Sequence, residues 1–391
     1  MGNVVFDSCG TSIFETMSRL AREVDAVNLG QGFPEGLEPK EVIEAAMRAL
    51  RDGPHQYPPM LGLPDLRQAV AETARRFLGL EVDWEREVLV TSGATEALAD
   101  ALFGLLNAGD EVILIEPAYD SYPVIVRRAG AIPIPVRLRP PTWELPRDEL
   151  KRAIGPRTKA IVINTPMNPI GKVFDDDDLR FVADLLIEHD LVAIADEVYE
   201  HLVFDGRRHN TLFAQPDVRD RVVRIGSAGK TFSVTGWKVG YVTADAKLLA
   251  PIARAHQFVT FTTPPALQAA AAFGLRLPDS YYHGLRTALE ARRDVLVDGL
   301  RDIGFAVGDV GATYFAVAAA SRFDPAGDDA EFCLRLTREA GVAAVPISAF
   351  YGERDVRSHI RFCFAKTRET LDEALARLAR WSRREGRGSA S

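Results

Sequence analysis

The chain has 391 residues, 47% of them hydrophobic, which suits a large core divided between two domains. Its net charge of -8 argues against nucleic acid as the main partner, because phosphate backbones need a basic surface. Cys9, Cys333 and Cys363 show no CxxC or zinc spacing, and the seven histidines form no HxxxH or HExxH pair. That pattern points to a reduced, cytoplasmic protein with no metal site. The N-terminus lacks a signal-peptide core, Phe6 breaks the myristoylation pattern, and no apolar stretch is long enough to cross a bilayer, so no membrane partner is expected.

Residues 1 to about 40 read as an arm with one short helix over Ser12–Val24. Asn28-Leu29-Gly30-Gln31-Gly32-Phe33-Pro34 is a turn-rich loop. Its glycines, Gly32 among them, would let the backbone approach a ligand closely, although a plain connector would look the same. Pro39–Leu50 predicts a helix with Val42, Ile43, Ala46, Met47 and Leu50 on its apolar face. A Pro/Gly loop around Gln56-Tyr57-Pro58-Pro59 follows, and Pro64 opens the next helix.

Glu87–Thr91 reads as a strand running into Ser92-Gly93-Ala94-Thr95 and then a helix with Ala97, Leu98, Ala101, Leu102 and Leu105 on one face. A helix N-terminus after a small-residue turn favours an anion, through free backbone N–H groups and the helix dipole. Many strand–helix turns share that form. Val112–Ile115 is a strand ending near Tyr119, whose ring could stack on a planar ligand or pack within its own domain. Ala160–Asn164 is another, ending in a prolyl turn that holds Asn168, which either caps the turn or meets a ligand. The run Asp175–Asp178 resembles a metal cluster, but acids suit the positive end of the helix Leu179–Glu188 that it opens. Leu191–Ala195 is wholly apolar, as in a parallel sheet buried on both faces, and it ends at Asp196-Glu197-Val198-Tyr199. A carboxylate there is costly unless a cation meets it.

Val222–Gly226 is a β-branched strand leading into Ser227-Ala228-Gly229-Lys230-Thr231-Phe232-Ser233 and on to Lys238. Open α/β folds place chemistry at the carboxyl ends of strands, and small neighbours leave room for a bulky group on Lys230. A phosphate-binding P-loop would need glycine at position 224, which is Arg. Gly240–Thr243 is a further strand, His256–Pro265 an aromatic, Thr- and Pro-rich segment, and Ser280–Ile303 a long helix crossing toward the second domain. The remainder alternates short strands and helices, an α+β pattern. In Ser358–Phe364, alternation puts Ile360, Phe362 and Phe364 on one face and Arg361 on the other, either as a carboxylate clamp or as a surface residue on an edge strand. The polar tail from Arg383 to Ser391 is expected to be loose.

In order and spacing these motifs resemble the class I/II aminotransferases of the fold-type I pyridoxal phosphate enzymes, nearest to the kynurenine, methionine and succinyldiaminopimelate aminotransferases. Gln56-Tyr57-Pro58-Pro59, Asp196-Glu197-Val198-Tyr199 and Ser227–Ser233 carry the likeness most specifically. The resemblance implies an α/β fold: a mostly parallel seven-stranded sheet between helices in a large domain over 46–279, and a smaller α+β domain over 280–391, joined by an arm over 1–45. It implies that Lys230 forms a Schiff base with pyridoxal 5'-phosphate and that Asp196 pairs with the ring nitrogen. Asn168 and Tyr199 would bond the ring hydroxyl, and Tyr119 would stack on the ring. Gly93, Ala94, Thr95, Ser227 and Lys238 would hold the phosphate, with Tyr57 reaching it from the other subunit of a homodimer. Arg361 would bind the substrate carboxylate, aided by Asn168 and the Gly32 backbone. The implied activity is transfer of an amino group from an L-amino acid to a 2-oxo acid by a ping-pong mechanism. A β-lyase, decarboxylase or oxidase on the same fold, or a non-catalytic cofactor-binding module, are the alternatives. Two positions depart from the common pattern: Ile170 stands where many relatives have Thr, and Lys238 where many have Arg, exchanging a bidentate fork for a point charge.

Overall fold

A computed structural model describes residues 2–388. Its strands, in chain order, are β1 Val27–Asn28, β2 Val88–Thr91, β3 Glu111–Glu116, β4 Ile132–Arg137, β5 Thr158–Asn164, β6 Val192–Asp196, β7 Val222–Ser227, β8 Gly240–Thr243, β9 Ala306–Val307, β10 Phe315–Ala319, β11 Val342–Ala343, β12 Val345–Pro346 and β13 His359–Cys363.

Seven of them form one sheet in the order β2-β8-β7-β6-β5-β3-β4, in which β8 alone runs against its neighbours. Along β3, Val112 and Leu114 face one apolar core while Ile113 and Ile115 face another, and β5 alternates in the same way. Burial on both faces is why these strands read as unbroken apolar runs. The carboxyl ends of the parallel strands share one edge, where register sets Asn164 beside Asp196 and Asp196 beside Ile225. β4 escaped the sequence reading because Pro133 and Pro135 interrupt it; it is the sheet's edge, where missing N–H donors are tolerated.

A second sheet orders β12-β13-β10-β9, and β1 pairs in parallel with β11, so the N-terminal arm is stitched to the C-terminal third. Arg361 therefore lies on an interior strand, paired with Val317 on one side and Val345 on the other, and is buried. The surface reading of that arginine is wrong. The helix Asp279–Ile303 spans both sheet layers: Tyr281 and Tyr282 pack on Phe232 and Phe77 at its start, and Gly299 lies against Leu375 near its end.

Two further expectations change. The helix Lys40–Asp52 buries Val42, Ala45 and Ala46, while Met47 and Leu50 are 64% and 57% exposed. The buried stripe follows the i, i+3, i+4 positions against the helix Pro265–Leu275, and this chain leaves the adjacent apolar face uncovered. The segment His256–Pro265, read without an assigned element, begins with the last turn of the helix Ala246–Val259. From Arg383 the chain stays helical to Gly388, as part of Arg368–Gly388; the rest of the expected loose tail lies outside the described residues. The acid run does open a helix, as read: Asp175 accepts the Asp178 N–H at 2.8 Å.

Candidate active site

The turns at the carboxyl edge of the large sheet, closed over by the second sheet and the N-terminal arm, enclose a cavity of about 480 Å³. Gly32, Gly93, Ala94, Thr95, Tyr119, Asn168, Asp196, Tyr199, Ser227, Lys230, Lys238 and Arg361 all line it. Tyr57 does not: it is 82% exposed and packs edge-on against Phe261, with ring centres 5.6 Å apart.

Lys230 stands on the short helical turn Ala228–Thr231 that follows β7. Its Nζ donates to the Tyr314 hydroxyl at 3.0 Å, and that hydroxyl donates to the Gly32 carbonyl at 3.1 Å. The amine is thus pointed into the cavity between the rings of Tyr199 and Tyr314, 5.6 Å from each centre.

Asp196 ends β6. Burial raises its carboxyl pKa, and the Tyr122 hydroxyl, donating to Oδ2 at 2.5 Å, is the chief opposing influence. The Val198 N–H adds a longer bond of 3.4 Å to Oδ1. A buried carboxylate held ready by one strong donor suits a cationic partner from a ligand.

On the Arg361 side of the cavity, a chain of bonds links three residues from different elements. Asn164 at the end of β5 accepts the Asn168 N–H at 2.8 Å and donates to the Asp196 carbonyl at 2.8 Å. Asn168 Oδ1 accepts from Arg361 Nη1 at 2.8 Å, and Arg361 Nη2 donates to the Gly30 carbonyl at 2.8 Å. The guanidinium lies 3.8 Å over the Phe315 ring, and its Nε has no partner among the described residues. Burial lowers its pKa to about 10, so it stays charged at neutral pH with donors left for a planar carboxylate.

At the opposite end, Gly93 (φ 83°) precedes the helix Ala94–Leu105 and gives it no side-chain cap, so the first N–H groups face the cavity. A Cβ on Gly93 would lie 3.2 Å from Lys238 Cε, and one on Gly240 would come within 2.6 Å of the Gly93 carbonyl carbon. Bare backbone at both positions lets β8 and the Lys238 ammonium press on the turn. A cradle of N–H groups and an ammonium, a buried carboxylate beside an amine, and a buried guanidinium fit pyridoxal phosphate from end to end.

The sequence reading missed Tyr122, Asn164 and Tyr314. Tyr122, three residues after Tyr119 in the first turn of the helix Ser121–Arg128, could have been found by helical spacing. Tyr314 carries no local signal. Nor could spacing show that Glu96, Asp100 and His256 gather within 4.8 Å, the histidine lying 160 residues from the glutamate.

The family model for aminotransferase class I and II matches residues 24–378. A probable N-succinyldiaminopimelate aminotransferase of Mycobacterium tuberculosis is 44% identical over 382 residues, covering 94% of this chain and 96% of the relative. A methionine aminotransferase of Escherichia coli is 38% identical over 369 residues, covering 94% and 95%. The solved N-succinyldiaminopimelate aminotransferase from M. tuberculosis superimposes with a TM-score of 0.94 at 44% identity, over 97% of this chain and 100% of that one. With such likeness along nearly its whole length, the chain belongs to the class I and II aminotransferases.

Proposed function

We infer that this pyridoxal phosphate-dependent aminotransferase holds its cofactor on Lys230 and its substrate carboxylate on Arg361. The observation that carries the reading is the shared cavity: the Lys230 amine, the Asp196 carboxylate and the Arg361 guanidinium line one space, each on a separate element. When bound, pyridoxal phosphate supplies an aldehyde that captures amines and a ring that accepts the electron pair left at the substrate Cα.

The side chains do the rest. Asp196 keeps a positive charge on the ring nitrogen, and Tyr122 keeps Asp196 ionised. Asn168 and Tyr199 would bond the ring hydroxyl, and Tyr119 would cover a ring face. Gly93, Ala94, Thr95, Ser227 and Lys238 hold the phosphate. Arg361, fixed by Asn168 and the Gly30 carbonyl, orients the amino acid so that one Cα bond faces Lys230. Lys230 Nζ would hold the aldehyde carbon of the cofactor and, when not bonded to it, would be the base that takes up and returns the substrate Cα proton. Tyr314, whose hydroxyl accepts from Lys230 Nζ, aims that amine into the cavity. Overall, one L-amino acid would leave its amino group on the cofactor, with water supplying the oxygen of the departing 2-oxo acid, and a second 2-oxo acid would take up that amino group and release the water.

Lys230, Lys238 and Arg361 are the cations lining the cavity, and each already has a task. The remaining wall includes Phe14, Phe33 and Tyr119, which supports a donor with an apolar or aromatic side chain. The exposed Met47, Leu50, Phe258 and Phe273, with Tyr57 and Phe261, support a homodimer in which Tyr57 reaches the partner's phosphate site. Residues 1–45, paired to the C-terminal third through Val27–Asn28, and residues 280–391 form the small domain beside the cofactor domain 46–279, with the helix Lys40–Asp52 crossing that boundary to pack on Pro265–Leu275. Free cysteines agree with a cytoplasmic setting, and no helix among the described residues is long and apolar enough to cross a membrane.

Borohydride reduction of the holoenzyme followed by peptide mass analysis tests the central assignment. The cofactor mass should appear on the peptide containing Lys230, and Lys230→Ala should lose it together with turnover. Cofactor mass on a different lysine would refute the assignment.

A further inference from the structure

Glu96, Asp100 and His256 form a buried charged group with no part in the steps above. Glu96 lies in the first turn of the helix Ala94–Leu105, Asp100 one turn later, and His256 in the last turn of Ala246–Val259. His256 Nδ1 is 2.8 Å from Glu96 Oε1 and 3.4 Å from Asp100 Oδ2, while Nε2 donates to the Met60 carbonyl at 3.1 Å. A carbonyl can only accept, so Nε2 carries a proton, and the carboxylates draw a second onto Nδ1. Burial would lower the histidine pKa, but the adjacent Asp100 carboxylate and the hydrogen-bonded Glu96 carboxylate outweigh that and raise it to about 9. The three groups are spaced as metal ligands are; with both ring nitrogens protonated, the imidazolium itself is the cation between the acids.

The cluster sits directly under the turn read as the phosphate site. Glu96 also accepts the Ser92 N–H, and Ser92 Oγ meets Thr263 Oγ1 at 2.9 Å. An acid in a helix's first turn suits the dipole, yet it opposes a second anion bound at the same N–H groups. Some positive charge must offset Glu96 if a phosphate dianion is to bind there. The charged groups acting on His256 are Glu96 and Asp100, both on one helix; the loop supplies the Met60 carbonyl, and Thr260 bonds Glu96.

We propose that His256 is a positioning residue for the cofactor phosphate: its charge offsets Glu96 beneath the 93–95 turn, and its two hydrogen bonds tie that turn to the Met60 loop. This rests on the reading that the turn holds the phosphate. Binding of pyridoxal phosphate and of pyridoxal, which lacks the phosphate, to cofactor-free protein separates the electrostatic role from a merely structural one. His256→Gln should weaken pyridoxal phosphate about tenfold, the scale of a partly buried charge at a helix end, and leave pyridoxal nearly unchanged. Glu96→Gln, which removes the anion, should bind pyridoxal phosphate at least as well as the wild type. The double variant should recover most of the tenfold loss. Equal weakening of both ligands by His256→Gln, or a double variant no better than His256→Gln, would overturn the proposal. If the turn does not hold the phosphate, the wild type will bind the two ligands equally. If only the His256 role fails, the wild type will discriminate and the variants will match it. Either result rejects the inference, and the two are distinguishable.

Discussion

The Tyr122 hydroxyl, unremarked in the sequence, is the main support of the Asp196 carboxylate, and Tyr122→Phe measures its worth. Asp196 is enclosed, and burial already lifts its pKa above that of an ordinary aspartate. The substitution removes the 2.5 Å bond and leaves the 3.4 Å bond from the Val198 N–H. A hydrogen bond to a charged group contributes about 1.5–3 kcal/mol, equivalent to about one to two pK units. In cofactor-free protein the carboxyl should therefore titrate about one to two units higher than in the wild type. The sign follows from linkage. An acid whose folded pKa exceeds its unfolded value binds its proton more tightly when folded, so the fold loses stability as pH rises from the unfolded pKa to the folded one. The wild type should show that loss, and Tyr122→Phe a larger one by about 1.5–3 kcal/mol once pH exceeds the raised pKa. Urea unfolding of both cofactor-free proteins from about pH 4 to 8 reads the difference directly. Stability curves that stay parallel across that range would show that the hydroxyl does not hold the carboxylate ionised.

Two other substitutions test separate parts of the structure. Arg361→Ala should raise KM for amino acid substrates by the equivalent of about 2–5 kcal/mol, the cost of truncating one partner of a buried charge pair. An unchanged KM in initial-rate assays would remove the carboxylate clamp. Arg224→Met strands two buried acids: the arginine Nε meets Glu197 Oε2 at 2.7 Å and its Nη2 bonds Glu200. Urea unfolding should show about 3–5 kcal/mol lost, with much of it recovered when Glu197→Gln and Glu200→Gln are added. No change in midpoint would mean that this buried network carries no stability.

Strand-forming runs, helix starts and the placing of Lys230, Asp196 and Asn168 at strand ends were all legible along the chain. Each depends on neighbours within a few residues: alternation or continuity of apolar side chains, small residues at a turn, acids at a helix start. The seven-stranded sheet and the assignment of site residues came through likeness to a family, not through periodicity, and the strand order came from the structure. What the linear reading got wrong shares one cause. Met47 and Leu50 satisfy helical spacing, but whether that face is covered depends on what packs there. Arg361 could have been on an edge or an interior strand, and only its pairing with both Val317 and Val345 decides it. Tyr122 on Asp196, Tyr314 on Lys230 and His256 on Glu96 join positions 74, 84 and 160 residues apart. Local propensity ends within a turn or two of chain, whereas a buried charge takes its partner from whichever element the fold brings within about 3 Å. The chemistry-bearing residues were therefore visible one by one in the sequence, and the hydrogen bonds that aim them and set their charge were decided by tertiary structure alone.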